Sequence, residues 1–258
     1  MSHLTKFGSV VAVISLCAIP ATLLAQPATA PFPTGPGSLH GIWSNITFTD
    51  VRTGPPGDTG PPRKPVYNDA NGQPIQMWPF VRKMVDERDS GWAKGIPYED
   101  YATNCSPAGM PAATGTNAQA PIQFVESPDQ KQITILNENQ FSSYRVIKMD
   151  QEHSANPTPT IMGESVGHWE GDTLVVDTIA VSEETMVRGV MPHSQKLHIV
   201  ERIRRTGPEA LENKVTVDDP WIFAKPFAQQ ARFKKVAGMR MGEFICTNNR
   251  HLLAAEEP

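Results

Sequence analysis

Glu201, His193 and His198 form the densest group of acid/base side chains in the sequence. A carboxylate beside an imidazole is a pairing that proton transfer uses, one group giving the proton and the other taking it. In the segment 197–205, Leu197, Ile199, Glu201 and Ile203 fall on one face of an extended chain, and His198, Val200, Arg202 and Arg204 fall on the other. Glu201 is therefore a carboxylate on an apolar face. Withdrawn from water, it needs a charged partner or a raised pKa. Two readings follow. Either an inward Arg or Lys of a neighbouring strand pairs with it, or it is the polar anchor or general acid/base of a ligand cavity, with His193 at the rim just after Pro192. His198 and Glu201 are an odd number of residues apart and point to opposite faces, so they do not converge on a metal ion.

Other motifs read as structure. Gly163-Glu164-Ser165-Val166-Gly167 matches the G-x-S-x-G nucleophile elbow, and Ser165, Asp172 or Asp177, and His193 even follow the order Ser, Asp, His. An elbow needs a buried strand before it and a helix after it. Here Asn156-Pro157-Thr158-Pro159 precedes it and a hairpin follows, so the glycines mark turns and close approaches in a strand. Trp169-Glu170-Gly171-Asp172-Thr173 reads as a tight turn, with Trp169 and Leu174 on or near the core. His168-Trp169-Glu170 matches the H-x-E of zinc deaminases, but their P-C-x-x-C partner is missing. Arg202, Arg204 and Arg205 read as a solvated face, and Asn45-Ile46-Thr47 is a formal glycosylation sequon. No phosphate-binding glycine loop, HExxH or calcium loop is present, so the sequence calls for no cofactor and no metal.

These residues need a scaffold, and its class is legible from residue 121 onward. PIQFVES, KQITILNE, SSYRVIKMD, ESVGHW, DTLVVDTI, KLHIVERIRR, LENKVTVDD and AQQARFKKV are strand-like segments, most of them separated by turn residues. Their one-sided alternation suits a closed or strongly curved antiparallel sheet. The helix–strand alternation of a parallel α/β fold is missing. One helix is expected near 76–89, where Met77, Trp78, Val81, Met84 and Val85 share a face and Pro79 fits only in the first turn. The fold class is thus mainly β, an antiparallel barrel with one N-terminal helix. A barrel of about eight strands has room for one small ligand.

The remainder of the chain is an address and a lead-in. Residues 1–25 combine Lys6, an apolar run from Val10 to Leu24 and a small residue at the end, the pattern of a secretory signal peptide. The run is too short for a membrane span and contains Pro20. A periplasmic or secreted location is expected. Residues 26–75 hold a Pro/Gly-rich segment and the first strand, and 54–65 contain three Gly-X-Y triplets that read as an extended surface loop. Residues 76–258 hold the helix and the barrel, one globular domain together with 40–75. With Cys17 inside the leader, Cys105 and Cys246 remain. In an oxidising compartment they read most simply as one disulfide, the alternative being free thiols or metal ligands.

The chain has 258 residues, with 24 Pro, 19 Gly, 39% apolar and 19% charged residues and a formal net charge of -4. That supports a packed core and excludes a disordered chain or a disulfide-dense miniprotein. It also lacks the basic excess of a nucleic-acid binder. The expected partner is a small molecule, and nothing bears on oligomeric state.

Gly41-Ile42-Trp43 resembles the GxW of the first strand in lipocalin-type (calycin) barrels, where the Trp closes the barrel floor. GHWEGDTLVVDT at 167–178, PHSQKLHIVERIRR at 192–205, DDP at 218–220 and KPF at 225–227 resemble a family of secreted bacterial proteins, most of them without an assigned activity. The resemblance covers most of the chain after the leader, including Cys105-Ser106-Pro107 and Cys246, and implies a single secreted domain with a structural disulfide. Two functional expectations follow. The first is a calycin-like barrel that binds a small, partly apolar molecule, with Trp43, Trp169, His198 and Arg202 as candidate ligand contacts. The second is a cofactor-free lyase, isomerase or hydrolase using Glu201 and His193.

Overall fold

Alternation of apolar and polar side chains builds the molecule. The computed structural model describes residues 38–46, 67–94, 107–116, 120–138 and 143–242. All belong to one compact unit that runs from Pro31 to Pro258. The leader 1–25, the loop 54–65 and both Cys105 and Cys246 lie outside the described residues.

Nine strands are present among the described residues: β1 (Gly41–Asn45), β2 (Ile122–Glu126), β3 (Gln132–Asn137), β4 (Ser143–Met149), β5 (Glu164–Glu170), β6 (Thr173–Ile179), β7 (His198–Gly207), β8 (Ala210–Asp218) and β9 (Phe227–Lys235). They pair in chain order, and β9 returns to β1, so the sheet closes into a barrel without a free edge strand. Every strand-like segment seen in the sequence is a strand here. Period-2 burial gives most strands an inner row, such as Ile199, Glu201 and Ile203 on β7 or Leu211, Asn213, Val215 and Val217 on β8. The β5–β6 hairpin turns through Gly171 at φ 62, as its sequence requires.

One pairing departs from the up-and-down pattern. β4 and β5 run parallel, with Ile147 opposite Ser165 and Met149 opposite Gly167. Parallel neighbours cannot be joined by a hairpin, and residues 150–163 form the crossover. A Cβ on Gly167 would lie 2.7 Å from Ile147 Cγ2, so the glycine is what lets the two strands approach. Among the described residues, the first half of β4, residues 143–146, pairs with β3 and has no partner on β5.

Two apolar clusters close the barrel. The floor contains Leu39, Trp43, Phe124, Leu174, Ile203, Leu211 and Phe233. Trp43 is fully buried, donates its indole N–H to Leu39 O at 2.8 Å and carries Lys235 Nζ 5.6 Å above its ring. The Glu126 carboxylate accepts from the Leu39 and His40 backbone N–H groups and from Ser38 Oγ, which fixes the chain across the floor. The opposite end is capped by α1 (Pro79–Ala93) together with Met110, Val187, Met191, Leu197 and Phe223. The helix begins at Pro79 as expected and runs four residues past Asp89. Its buried stripe is narrower than the sequence pattern implied: Val81 and Val85 are buried, while Trp78 and Met84 are exposed. No helix among the described residues is long and apolar enough to cross a membrane.

A feature the sequence reading did not anticipate enters the barrel itself. Residues 107–116 carry a short 3-10 turn, Ala112–Thr114, whose residues are all buried. Asn213 on β8 donates to Thr114 O at 3.1 Å, and Asn45 on β1 donates to Gly115 O. The inward side chains of the wall thus satisfy the carbonyls of this plug. The Asn45 amide is consumed there, so it does not present the sequon to solvent.

Candidate functional site

Between the two apolar clusters lies a belt of inward polar side chains. Arg145 on β4 forms an ion pair with Glu201 on β7, with relative side-chain exposures of 3% and 1%. Arg145 Nε donates to Ser165 Oγ at 2.9 Å, and one of its terminal nitrogens donates to Thr178 Oγ1 at 3.0 Å. The two hydroxyls are themselves 2.9 Å apart. Asn213 Nδ2 donates to Glu201 Oε1 at 2.8 Å. From Asn213 the belt continues through Thr114 to Thr116, whose hydroxyl donates to Gln229 Oε1 at 3.1 Å. Side chains from β4 to β9, together with the plug, share this single run of hydrogen bonds.

Four atoms of the belt make no hydrogen bond among the described residues; Glu201 Oε2 is held by its ion pair with Arg145, which leaves three unpartnered, Arg145 Nη1, Asn213 Oδ1 and Gln229 Nε2. Each belongs to a side chain that is almost wholly buried. An unmet buried polar atom costs roughly 1–3 kcal/mol, so three on one belt mark the interior as built for further polar contacts.

The belt meets a groove in the barrel wall. Where β4 has no β5 partner, a cavity of about 560 Å³ lies between β4, the start of β5 and residues 154–163. Arg145 and Ser165 line it and also belong to the belt. Its flanks are partly apolar, through Tyr144, Val146, Ile161 and Met162. At its edge Glu164 accepts from the Ser154 hydroxyl and backbone N–H, at 2.7 and 2.6 Å, and lies 3.2 Å from Lys148 Nζ. These contacts, the Ser154 hydroxyl first, hold its pKa at about 2.

The candidate residues separate into five settings. Glu201 is interior, and both its oxygens are engaged, by Arg145 and Asn213. Of the two sequence readings, the geometry realises the ion pair with an inward Arg. His193 is not at an open rim. It is 4% exposed, with Nδ1 3.0 Å from Ser194 O and Nε2 2.8 Å from Thr185 Oγ1, and burial pushes its pKa down. No hydrogen bond links it to Glu201. Its surroundings are rigid because Ser194 donates both its backbone N–H and its hydroxyl to the buried carboxylate of Asp219.

Trp43 lies in the floor. Trp169 shares the inner parity of Ser165 and Gly167, yet stands at the end of β5 with 36% of its surface exposed. The strand overruns the core there, so parity alone does not bury it. His198 and Arg202 are on the outer wall, where His198 Nε2 meets Asp177 Oδ2 at 2.8 Å and Arg202 donates to Glu170 Oε2 at 2.6 Å. They do not face the interior, because β7 turns its odd-numbered residues inward. Ser165 sits within a strand and is held by Arg145 and Thr178, an environment unlike that of an elbow nucleophile. Among the described residues, no group of three or more His, Cys, Asp or Glu is placed to hold a metal ion.

Arg145, Asn213 and Gln229 carry the belt and were missed as site residues. Their signal was parity: each alternates with buried apolar neighbours, as Arg145 does with Ile147 and Met149.

No family model matches the chain, and no curated protein matches it. Among solved structures it is similar to zebrafish ileal bile acid-binding protein, crystallised with cholic acid. The TM-score is 0.34 and the identity 11%, over 76% of this chain and 98% of that one. The barrel itself is established by the strand pairings, which close β9 onto β1.

Proposed function

We propose that this chain is a periplasmic or secreted barrel protein that binds a small, partly apolar molecule in its interior. One observation carries the reading: three unpartnered polar atoms on a buried belt, set between two apolar clusters. Ligand sites share that composition, a mostly apolar lining with a few placed polar groups that fix orientation. The leader-like residues 1–25 and the resemblance to secreted bacterial proteins support the location. Arg145, Asn213 and Gln229 take the role of polar anchors, the role the sequence reading offered for Glu201, and replace His198 and Arg202 as candidate ligand contacts.

Native mass spectrometry of the full chain tests this. After exposure to a mixture of small amphiphiles, the wild-type protein is expected to retain one organic adduct, and Asn213→Leu to lose it. A wild-type spectrum with the bare protein mass alone would overturn the reading.

A further inference from the structure

We infer that the ligand of this interior is a neutral, hydroxyl-bearing amphiphile and that it reaches the belt sideways, through the wall between β4 and β5. The inference rests on the binding function proposed above and names its chemical class and route.

The charge balance of the belt selects a neutral group. Arg145 and Glu201 already cancel each other in a buried pair. An anionic ligand accepting from Arg145 Nη1 would share one guanidinium between two anions and leave the belt with a net buried negative charge. A cationic ligand would likewise leave a net buried positive charge. A buried charge deprived of its partner is strongly unfavourable. What the belt lacks is hydrogen bonding, not charge.

The hydrogen-bond inventory then selects the group. With Glu201 Oε2 held by the ion pair, the unpartnered atoms are two donors, Arg145 Nη1 and Gln229 Nε2, and one acceptor, Asn213 Oδ1. A hydroxyl brings one donor and two acceptor lone pairs, the complement of that set. A carbonyl or ether oxygen could receive the donors but would leave Asn213 Oδ1 unmet. An ionised carboxylate likewise has no proton to give.

The route follows from what is closed. Trp43 and Leu39 fill the floor, and α1 with Met110, Met191 and Phe223 fills the other end. Among the described residues the wall is interrupted where residues 143–146 lack a β5 partner, and the groove there contains both apolar side chains and two belt residues, Arg145 and Ser165. Its volume of about 560 Å³ falls in the ~300–1,000 Å³ range of small-ligand sites. A hydroxyl head at the belt would leave its apolar tail along Val146, Ile161 and Met162.

Calorimetric titration of the full chain with decanol, decanoate and decylammonium at neutral pH separates the possibilities. Decanol is expected to bind at least about tenfold more tightly than either ion, a difference of ~1.4 kcal/mol, and Asn213→Leu to remove that preference. Decanoate or decylammonium binding as tightly as decanol would overturn the neutral-ligand inference and leave interior binding standing. Saturable binding of none of the three would contradict the binding function itself. The route is tested by stopped-flow association with Thr158→Trp, a groove residue outside both the hydrogen-bonded belt and the side chains that hold the tail. Slower association at unchanged affinity is expected, and an unchanged rate would overturn lateral access.

Discussion

Arg145 and Glu201 pair across the barrel interior from strands that are not neighbours, and neither has appreciable contact with solvent. Breaking such a pair from one side leaves a buried charge, which costs about 3–5 kcal/mol. Arg145→Met and Glu201→Leu are each expected to lower stability by that order in urea unfolding. The double variant Arg145→Met/Glu201→Leu should recover most of the loss, since it removes both charges together. A double variant as unstable as the sum of the singles would show that the pair is not the dominant relation between them.

The plug gives a second prediction. Gly115 has φ 85, and an added Cβ would overlap the Phe233 ring, lying 2.9 Å from Cε1. Gly115→Ala therefore combines left-handed strain with overpacking, about 1–3 kcal/mol for the latter alone. Gly171 has a similar φ of 62 with nothing within 4 Å of the added Cβ, so Gly171→Ala should cost only about 1–2 kcal/mol of backbone strain. Thermal unfolding of the two variants should rank Gly115→Ala as the less stable.

The two tryptophans that sequence reasoning treated alike should behave differently. Trp43 is fully buried in the floor, and its loss to Ala is expected to cost about 3–5 kcal/mol. Trp169 is exposed at the end of β5, so Trp169→Ala should stay within about 1 kcal/mol. Chemical denaturation of both measures the contrast directly.

That contrast shows how far the sequence could be read. The strands, the turns and the inward orientation of Glu201 follow from local alternation, which a single strand displays by itself. The inner face of β9, with Gln229 beside Ala231 and Phe233, follows from the same alternation. The partner of Glu201 was not, because pairing across the interior depends on strand order and register over the whole barrel. The parallel β4–β5 contact and the insertion of residues 107–116 also escape local patterns. Both are fixed by distant groups, Ile147 against Gly167 and Asn213 against Thr114.

Acid should act through two groups in separate windows. Burial lowers the His193 pKa from its ordinary 6.5, so the unfolded chain takes up the proton first. The stability this contributes is complete above pH 6.5 and is lost as pH falls below it. Glu164, held at about 2 against an ordinary 4.5, contributes stability that is complete above pH 4.5 and lost as pH falls toward 2. Melting temperatures across this range should show that His193→Gln flattens the upper slope and Glu164→Gln the lower one.

A crystal structure of the full chain with decanol tests the central claim most directly. The account predicts the alcohol oxygen within hydrogen-bond distance of Asn213 Oδ1 and Arg145 Nη1, the Arg145–Glu201 pair intact and the alkyl tail beside Val146 and Met162. Water alone on the belt, with decanol bound elsewhere or not at all, would contradict it.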